Sequence, residues 1–404
     1  MELIGHVMHY EWGKLGEDSY VAKLAAANRS DDDTPFVVDA SKPYAELWMG
    51  DHCSGPSLVK KSGKELGTVL RPHEKPTFLF KVLSVRKALS IQVHPNKRQA
   101  AKLHAQFPDV YKDPNHKPEL AIALTDFQAM CGFRPYDEIY SNLKAWSELQ
   151  DLLGADQIEK LTLNADDDEV LRNLYASLMH SEPEQLEKCI SKMHSKIRTK
   201  PDKCSLDQLF LQLHQDFGND VGLLSIYFLN VLDLQPGQAI YLSANVPHAY
   251  LRGDCVECMA CSDNVVRAGL TPKFKDVDTL LELLVCQGAP AQSMLCRSVV
   301  KDPERQPYTR TFLPNDLWLT DFVVSMLKIP TGVKTYPVSN ALNGCILLIC
   351  SGKGLLRGGK NIALNVQFGS IIFVPSDASA ELELCIENTG EEFVAYQAMQ
   401  KDFI

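Results

Sequence analysis

The spacing of hydrophobic and polar positions changes twice along the chain. Up to about residue 133, short apolar segments such as 78–83 are interrupted by Gly and Pro, a pattern that predicts strands and turns. From about 135 to 217, apolar residues recur three and four positions apart, which predicts amphipathic helices. After Val221 the strand pattern returns, first at 225–229, and continues onward. The fold class predicted is mainly β with a helical insertion.

Two local signals predict where helices begin. Residues 97–107 follow Pro95 and Asn96 and predict one helix inside the first β-rich stretch. Ser181 and Glu184 have the spacing of a capping box, which predicts a helix start inside the insertion.

A weak internal repeat relates the two β-rich stretches. Residues 237–248 can be laid over 369–380, because each window runs from a Gly turn through a strand to a polar corner. His248 in the first window is matched by Ala380 in the second. We therefore expect two β-sandwich units of one kind, the second without a metal site. The domains expected are residues 1–133 with 221–292, the helical residues 134–220, and residues 293–404.

Composition excludes several classes of partner. The 404 residues are 45% apolar and 23% charged with a net charge of −10, so they lack the basic footprint of a protein that binds nucleic acid or an anionic membrane. No apolar run approaches the length of a membrane span. The 12 cysteines follow no regular disulfide framework, which predicts reduced thiols and a cytoplasmic location.

Three short segments carry side chains that could bind a metal. Gln92 and His94 lie two apart on a predicted strand and should face one side, while Glu119 and His248 each lie beside a proline. A Gln-x-His pair alone is more often a surface or hydrogen-bonded pair. Together, however, two imidazoles, one carboxylate and one amide oxygen suit Zn²⁺. With one anionic ligand the ion keeps a charge of about +1, which favours an anionic substrate or a developing enediolate.

Basic residues lie close in sequence to these candidate ligands: Lys81, Lys117, Arg267 and Lys273. Such residues are usually solvated surface groups. Beside a cationic metal they would suit a phosphorylated sugar, with one group for the phosphate and others for an oxyanion.

Cys255, Cys258 and Cys261 form a second possible ligand group. A spacing of three alternates faces on a strand, and iron–sulfur motifs normally need a fourth cysteine. We interpret these residues as buried structural thiols.

Four longer segments resemble the signature segments of the type I mannose-6-phosphate isomerases, which are also called phosphomannose isomerases. The segments are residues 44–50, 78–95, 116–135 and 245–273, and the start at Tyr10-x-Trp12-Gly13 is similar too. The resemblance covers nearly the whole chain in the same order and is weak in the helical insertion and the last hundred residues. Asp51 and Cys53 depart from the family pattern, which affects the local shape of that loop.

This resemblance implies a cupin-type (jelly-roll) β-sandwich repeated twice plus an all-α domain. It also implies one Zn²⁺ per chain and interconversion of mannose 6-phosphate and fructose 6-phosphate, feeding GDP-mannose synthesis and mannose use. We expect a cytoplasmic monomer whose partner is the sugar phosphate, with no nucleic acid and no membrane. The family's zinc ligands fall on Gln92, His94, Glu119 and His248, its active-site arginine on Arg267, and its site-lining residues on Ser90, Lys117, Glu257, Tyr250 and Lys273.

The implied reaction sets requirements for proton transfer and charge. Aldose–ketose exchange removes a proton from C2, forms a cis-enediolate and returns a proton to C1. Zinc and Arg267 are candidates for stabilising the developing charge, and Lys81 is a candidate substrate contact. Lys117, His116 and Glu257 are candidates for the base, and the sequence does not choose among them.

Two other classes of function stay open. An oxygen-using Mn²⁺ or Fe²⁺ enzyme commonly carries His-x-His followed closely by Glu, whereas here Gln92 replaces the first His and Glu119 lies far downstream. A non-catalytic sugar-phosphate-binding module would need neither Arg267 nor a base beside the metal.

Overall fold

The computed structural model describes residues 1–30, 35–163, 168–316, 319–358, 362–377, 382–387 and 389–401. The strands of its first half are β1 (Glu2–Ile4), β2 (His6–Met8), β3 (Lys14–Leu15), β4 (Pro43–Tyr44), β5 (Glu46–Met49), β6 (Leu58–Val59), β7 (Phe78–Val85), β8 (Ile91–Val93), β9 (Glu119–Ala123), β10 (Phe127–Phe133), β11 (Leu229–Leu234), β12 (Ala239–Leu242), β13 (His248–Ala260) and β14 (Val266–Gly269). Those of its second half are β15 (Arg297–Val299), β16 (Thr309–Leu313), β17 (Val323–Ile329), β18 (Thr335–Val338), β19 (Cys345–Ser351), β20 (Lys353–Gly358), β21 (Ile362–Gln367), β22 (Ile371–Val374), β23 (Leu382–Ile386) and β24 (Phe393–Met399).

The helices concentrate in the middle of the chain. The α-helices are α1 (Tyr20–Asn28), α2 (Leu66–Val69), α3 (Lys97–Gln106), α4 (Tyr136–Lys144), α5 (Ser147–Leu153), α6 (Ala155–Leu163), α7 (Asp168–Met179), α8 (Pro183–Thr199), α9 (Ser205–Phe217) and α10 (Val277–Leu283). Short 3₁₀ helices lie at Gly16–Asp18, Pro72–Glu74, Val221–Tyr227 and Ala291–Met294. The predicted fold class, mainly β with a helical insertion, is confirmed.

The strands form two sandwiches of antiparallel sheet. In the first, the order β11-β10-β13-β7-β5-β2 is extended where β13 also pairs with β8 and β9, which in turn pair with β14 and β12. In the second, the order β15-β16-β17-β24-β19-β22-β1-β6 forms one sheet and β18-β23-β20-β21 forms the other. Strand β13 is therefore the central strand of the first sandwich, because four other strands pair with it.

The long strand β13 changes its pairing at a bend. Its first residues pair with β10, and from Gly253 onward it pairs with β7 and β9. A register shift lies just before Gly253, whose φ is +109°, and a Cβ at this position would lie 2.4 Å from the carbonyl oxygen of Asp126. A side chain would not fit there, so glycine is required. Tyr250 and Glu257 are an odd number of residues apart and would face opposite sides of a regular strand. The bend lets both side chains point into the interior of the first sandwich.

The two sandwiches share a buried apolar layer. It joins residues of the first sandwich, such as Phe80 and Val256, to residues of the eight-stranded sheet, such as Ile346 and Phe373. Strand β1, which the sequence assigns to the first unit, pairs with β22 of the second sandwich, with Leu3 opposite Ile371. The domain boundaries stay a prediction, and Ala380 of the repeat lies outside the described residues.

Two of the three local predictions fail. The helix expected at 97–107 is confirmed as α3, capped by Asn96. The capping box at Ser181 is wrong, because α8 begins at Pro183 after Glu182, with no side-chain cap, and the Ser181 hydroxyl donates to Ser177. The strand expected at 225–229 is wrong, because most of that segment belongs to the 3₁₀ helix Val221–Tyr227. Its residues are all buried, and a short apolar run does not distinguish a buried strand from a buried helical turn.

All 12 cysteines are free thiols. No helix in the described part of the chain combines the length and the apolar character needed to cross a membrane.

Candidate active site

Strand ends of the first sandwich bring three candidate ligands together. His94 directly follows β8, Glu119 begins β9 and His248 begins β13. The backbone N–H of Asn245, which has a φ of +67°, donates to the His94 carbonyl over 2.8 Å and so connects two ligand segments. His94, Glu119 and His248 are each at most 2% exposed. The local sequence therefore buries two imidazoles and a carboxylate at one point.

The spacing of these three side chains fits a metal ion. The Nε2 atoms of His94 and His248 each lie 3.5 Å from an oxygen of Glu119. All the candidate ligand atoms lie within 4.8 Å of one another. Two ligands bound tetrahedrally at about 2.0–2.1 Å from zinc would lie about 3.3–3.5 Å apart. The observed separations match this expectation.

Both imidazoles present the nitrogen that a metal requires. Nδ1 of His94 lies 2.8 Å from the Asn264 carbonyl oxygen, and Nδ1 of His248 lies 2.9 Å from that of Val246. A carbonyl only accepts, so each Nδ1 carries the proton and each Nε2 keeps its lone pair. Both Nε2 atoms are buried and have no hydrogen-bond partner among the described residues. A metal ion bound to both Nε2 atoms would satisfy these buried acceptors.

The pKa shifts agree with a neutral His94 imidazole and an ionised Glu119 carboxylate. Burial lowers the pKa of His94 to about 4, although Glu119 opposes this effect. Burial alone would raise the pKa of Glu119, but Lys117 and the two histidines hold it well below its usual range. These are the protonation states that metal ligands need.

Gln92, the fourth predicted ligand, lies on β8, which pairs with β13 on one side and with β14 on the other. Its Cα is opposite His248 of β13 on one side and opposite Arg267 of β14 on the other. Gln92 also lines a large cavity beside the buried ligands. Its role as a ligand stays a prediction.

The cavity has a volume of about 870 Å³, and the three buried ligands lie behind its wall, where Lys117 contacts Glu119 and Gln92 is paired with His248. Five of the sequence-predicted residues besides Gln92 line it: Lys81, Ser90, Lys117, Arg267 and Lys273. Cations of the cavity wall differ in their partners. Lys117 lies 3.2 Å from Glu119, and the Lys87 ammonium lies over the Phe217 ring at 4.5 Å. The cavity therefore offers several positive charges to one ligand.

Arg267 and Lys273 are the cations that stay available. Neither side chain has a hydrogen-bond or ion-pair partner in the part of the chain that the structure describes. Burial lowers the pKa of Arg267 somewhat, but arginine remains protonated near neutral pH. Two unpaired cations at one cavity favour an anionic ligand.

A buried network of charges begins at the cavity wall and extends behind it. Lys81 is opposite Glu257 in the β7–β13 register and donates to its carboxylate over 2.7 Å. Tyr250 donates to the other oxygen of Glu257, also over 2.7 Å. Burial raises the pKa of Glu257 and Lys81 opposes this. The pKa of Lys81 itself is raised because the carboxylates of Glu257, Glu46 and Glu119 together outweigh its burial, and Glu46 lies 3.7 Å away.

Besides the three buried ligands, three predicted site residues are absent from the cavity lining. Tyr250 and Glu257 are not among the described residues that line it and lie in the network behind Lys81. His116 is also absent from that lining, and its Nε2 is 3.0 Å from a carboxylate oxygen of Asp321 in the second half of the chain.

Sequence reasoning missed Glu46, Trp48 and Asp220, which all line the cavity. Trp48 donates through Nε1 to Glu46, and Asp220 comes from the end of the helical insertion. A buried Glu-x-Trp pair on one strand face was a visible signal for the first two. Asp220 had no such signal, because its partners lie far away in the chain.

The cysteine group behaves as interpreted from the sequence. Cys255 and Cys258 are fully buried, Cys261 is partly buried, and burial raises the pKa of all three thiols. The metal-capable cluster found among the described residues contains no cysteine. These side chains are therefore inert thiols at neutral pH.

Comparison with known proteins gives one family. The family model of the phosphomannose isomerase type I catalytic domain matches residues 1–136. The model of the phosphomannose isomerase type I helical insertion domain matches residues 149–229. Together the two matches cover more than half of the chain.

Whole-chain relatives agree with the two models. The chain is 44% identical to mannose-6-phosphate isomerase of Rattus norvegicus over 94% of each chain, and 37% identical to that of Schizosaccharomyces pombe over 97% of each. A crystal structure of mannose 6-phosphate isomerase from Salmonella typhimurium, bound to fructose 6-phosphate and zinc, is 28% identical and covers 99% of both chains with a TM-score of 0.82. This likeness and the antiparallel sheets confirm the predicted cupin-type (jelly-roll) fold.

Proposed function

The chain belongs to the type I phosphomannose isomerase family, and from this premise we propose that it interconverts mannose 6-phosphate and fructose 6-phosphate with one bound Zn²⁺. One observation carries the proposal. Two buried imidazole Nε2 atoms without partners meet a carboxylate beside a cavity that has two unpaired cations. The Rattus norvegicus relative has this activity by name, and the Salmonella typhimurium structure holds fructose 6-phosphate and zinc.

Gln92, His94, Glu119 and His248 would hold the zinc. The fit rests on the orphaned Nε2 atoms and on a nitrogen and oxygen donor set without sulfur. Bound there, the ion supplies a Lewis acid that polarises sugar oxygens. A neutral amide from Gln92 leaves the site with surplus positive charge, which suits an anionic sugar.

Arg267, Lys273 and Ser90 bind the substrate in this proposal. All three line the cavity, and the two cations have no described partner that would compete with a phosphate. Arg267 lies on β14, with its Cα opposite Gln92, and so carries its charge toward the metal end. We assign it to stabilisation of the enediolate oxygen, and we assign Lys273 and Ser90 to the phosphate.

Lys117 and Glu257 are the proposed groups for proton transfer between C2 and C1. Nζ of Lys117 reaches the cavity next to Glu119. Glu257 lies one residue deeper, behind Lys81, and burial raises the pKa of its carboxyl above the ordinary value, which is the direction that a general base requires. His116 stays a weaker candidate, because its ring is engaged with Asp321. Tyr250 and Lys81 position Glu257 by holding its two oxygens.

Isotope exchange separates the two proton-transfer groups. In D₂O a base that exchanges its proton with solvent leaves deuterium at C1 of fructose 6-phosphate. The variant that lacks the base, Lys117→Ala or Glu257→Gln, should lose turnover and exchange together while it keeps its zinc. If both variants exchange at the wild-type rate, neither residue is the base.

The remaining parts of the proposal concern the cellular setting. We propose that the protein acts as a cytoplasmic monomer and feeds GDP-mannose synthesis and mannose use. Its 12 free thiols support a reducing compartment.

A coupled assay tests the proposed function. Purified protein loaded with zinc should form fructose 6-phosphate from mannose 6-phosphate, and a chelator should abolish the turnover. Neutral mannose is the comparison substrate and should react far more slowly, because it offers Lys273 and Ser90 no phosphate. Equal rates with and without the phosphate, or activity that survives complete removal of metal, would refute the proposal.

A further inference from the structure

An acidic residue, Asp220, makes one of the contacts between the helical insertion and the first sandwich. Asp220 follows α9 and precedes the 3₁₀ helix Val221–Tyr227. One oxygen of its carboxylate, Oδ1, accepts from the backbone N–H of Gly222 over 2.7 Å and from that of Leu270 over 2.6 Å. The first bond caps the 3₁₀ helix, whereas the second crosses to the loop after β14.

The residue that receives this second bond has an unusual backbone. Leu270 has a φ of +54° and is 2% exposed. A left-handed conformation is unfavourable for a leucine and persists only when its surroundings hold it. The bond from the Leu270 N–H to Asp220 is one such restraint, and a register shift between Arg267 and Gly269 adds to the local bend.

Close backbone packing surrounds the same contact. A Cβ on Gly222 would lie 2.6 Å from the Leu270 nitrogen, and one on Gly269 would lie 2.6 Å from the Gly222 Cα. Both glycines are therefore required for the insertion to approach the end of β14 this closely. The approach brings Asp220 within reach of the Leu270 N–H, for which no other acceptor is found among the described residues.

In sequence, Leu270 lies midway between the two cations of the cavity that have no described partner, Arg267 and Lys273. Arg267 is three residues before it and Lys273 is three residues after it, and both side chains line the cavity that Asp220 also lines. The conformation at Leu270 therefore decides how far apart these two charges stand. A different backbone path there would move at least one of them away from a shared anion.

We propose that Asp220 is a positioning residue, through which the helical insertion sets the separation of Arg267 and Lys273 and so the affinity for the phosphate group of the substrate. This inference rests on the proposed function, since it needs Lys273 as a phosphate contact. It gives the insertion a part in substrate binding. The carboxylate itself acts on the same loop and not on the ligand, because Oδ1 holds the Leu270 N–H and Oδ2 lies 3.6 Å from the Lys275 ammonium.

The sign of the effect separates this role from simple electrostatics. A carboxylate at the cavity repels a phosphate, so a purely electrostatic Asp220 would weaken anion binding, and its removal would tighten it. A positioning Asp220 predicts the opposite result for alanine, because the Leu270 N–H loses its acceptor and the turn relaxes. Asparagine keeps an Oδ1 acceptor without the charge and should preserve the binding.

Calorimetric titration with inorganic phosphate is the test, since it needs no turnover and the probe has no sugar hydroxyls. Asp220→Ala in the full-length protein should weaken phosphate binding at least tenfold, and Asp220→Asn should stay within threefold of the wild type. In a Lys273→Ala background the alanine change at 220 should alter the affinity less than twofold, because the positioned cation is already gone.

Asp276→Ala is the matched control for a lost helix cap. Asp276 caps α10 in the same loop region, accepts from Thr279 N–H over 3.1 Å and from Tyr111 over 2.7 Å, and does not line the cavity in the described residues. Both alanine variants should melt at a lower temperature than the wild type, but only Asp220→Ala should lose phosphate affinity.

Four results would overturn the inference. They are tighter or unchanged phosphate binding in Asp220→Ala, an equal loss in the Lys273→Ala background, an equal loss in Asp276→Ala, or no phosphate binding by the wild type. The coupled assay on wild-type protein reports separately on the proposed function, so the two failures are distinguishable.

Discussion

The two sandwiches are built from similar antiparallel strands, but their interiors are opposite in character. Between the sheets of the second sandwich the buried cluster consists of residues such as Leu327, Leu356 and Phe393. Inside the first sandwich, Lys81 and Glu257 are buried as an ion pair beside the three candidate metal ligands. Burying charge costs several kcal/mol per ion unless partners offset it. The first interior is thus arranged for chemistry and the second for stability.

The buried polar groups show how the difference is maintained. On the strands of the eight-stranded sheet they are neutral and paired, such as Thr311 with Ser325 and Gln397 with the Ser339 carbonyl. In the first sandwich, His94 and His248 are left with unpartnered Nε2 atoms. An unsatisfied buried acceptor persists where a ligand such as a metal ion completes it. A substitution should therefore affect activity in one sandwich and only stability in the other.

His248→Ala should produce the largest loss. Removing one imidazole leaves the metal with an incomplete set of ligands, so zinc content should fall together with activity. We expect a loss of about a thousandfold or more in kcat, since a Lewis acid contributes several kcal/mol. Elemental analysis and the coupled assay measure both quantities. A variant that keeps one zinc per chain and full turnover would remove His248 from the ligand set.

Arg267→Ala should retain zinc and still lose turnover. One preorganised charge at a developing oxyanion contributes about 10²- to 10³-fold in kcat. The matched control is Arg310→Ala on β16 of the second sandwich, which removes an exposed arginine and should leave kcat unchanged. Near-normal kcat in Arg267→Ala, or an equal drop in both variants, would contradict the assigned role.

Leu356→Ala should affect stability and hardly change activity. Leu356 is fully buried in the core of the second sandwich. Its truncation should lower the free energy of unfolding by about 2–5 kcal/mol through lost contacts and a cavity. Urea denaturation measures this loss, and zinc content and kcat at 25 °C should remain near the wild-type values. Loss of zinc in the folded variant would show that the two interiors are not independent.

Glu74→Gln should have the smallest effect, and the effect should depend on pH. The Glu74 carboxylate accepts from Arg71 and from Ser376 of the second sandwich, and the hydrogen bond from Arg71 is the largest cause that lowers its pKa from 4.5 to about 2. A depressed carboxyl pKa stabilises the fold above pH 4.5, and this contribution disappears between pH 4.5 and about 2. Since Arg71 is 44% exposed, solvent screening reduces the contribution to about 1–2 kcal/mol.

Denaturation of wild type and Glu74→Gln at several pH values checks this expectation. The difference in the free energy of unfolding should be full at pH 7 and should shrink steadily below pH 4.5. A difference that is independent of pH would mean that the Glu74 charge does not contribute to the contact between the sandwiches.

The sequence was informative where a function depends on neighbours along the chain. Gln92 with His94, Glu119 and His248 each belong to a short segment at a strand end, so residue type and spacing were enough to suggest a common site. The helix α3 followed from Asn96 and its capping pattern in the same way.

The predictions failed or were incomplete where contacts between residues far apart in sequence determine the structure. The ring of His116 is held by Asp321, and the carboxylate of Glu257 lies behind Lys81, 176 residues away in sequence. Asp220 was missed because its partner Leu270 is 50 residues further along. Residues 225–229 were predicted as a strand because they are almost all apolar. Such a run has no hydrophobic periodicity that would distinguish a buried 3₁₀ helix from a buried strand.

A zinc titration of the metal-free wild-type protein in the coupled assay is the most direct test of the proposed zinc site. Turnover of mannose 6-phosphate should be absent without metal, rise in proportion to added zinc, and level off at one equivalent per chain. Turnover by the metal-free protein, or none at one equivalent of bound zinc, would contradict a zinc-dependent isomerase site in the first sandwich.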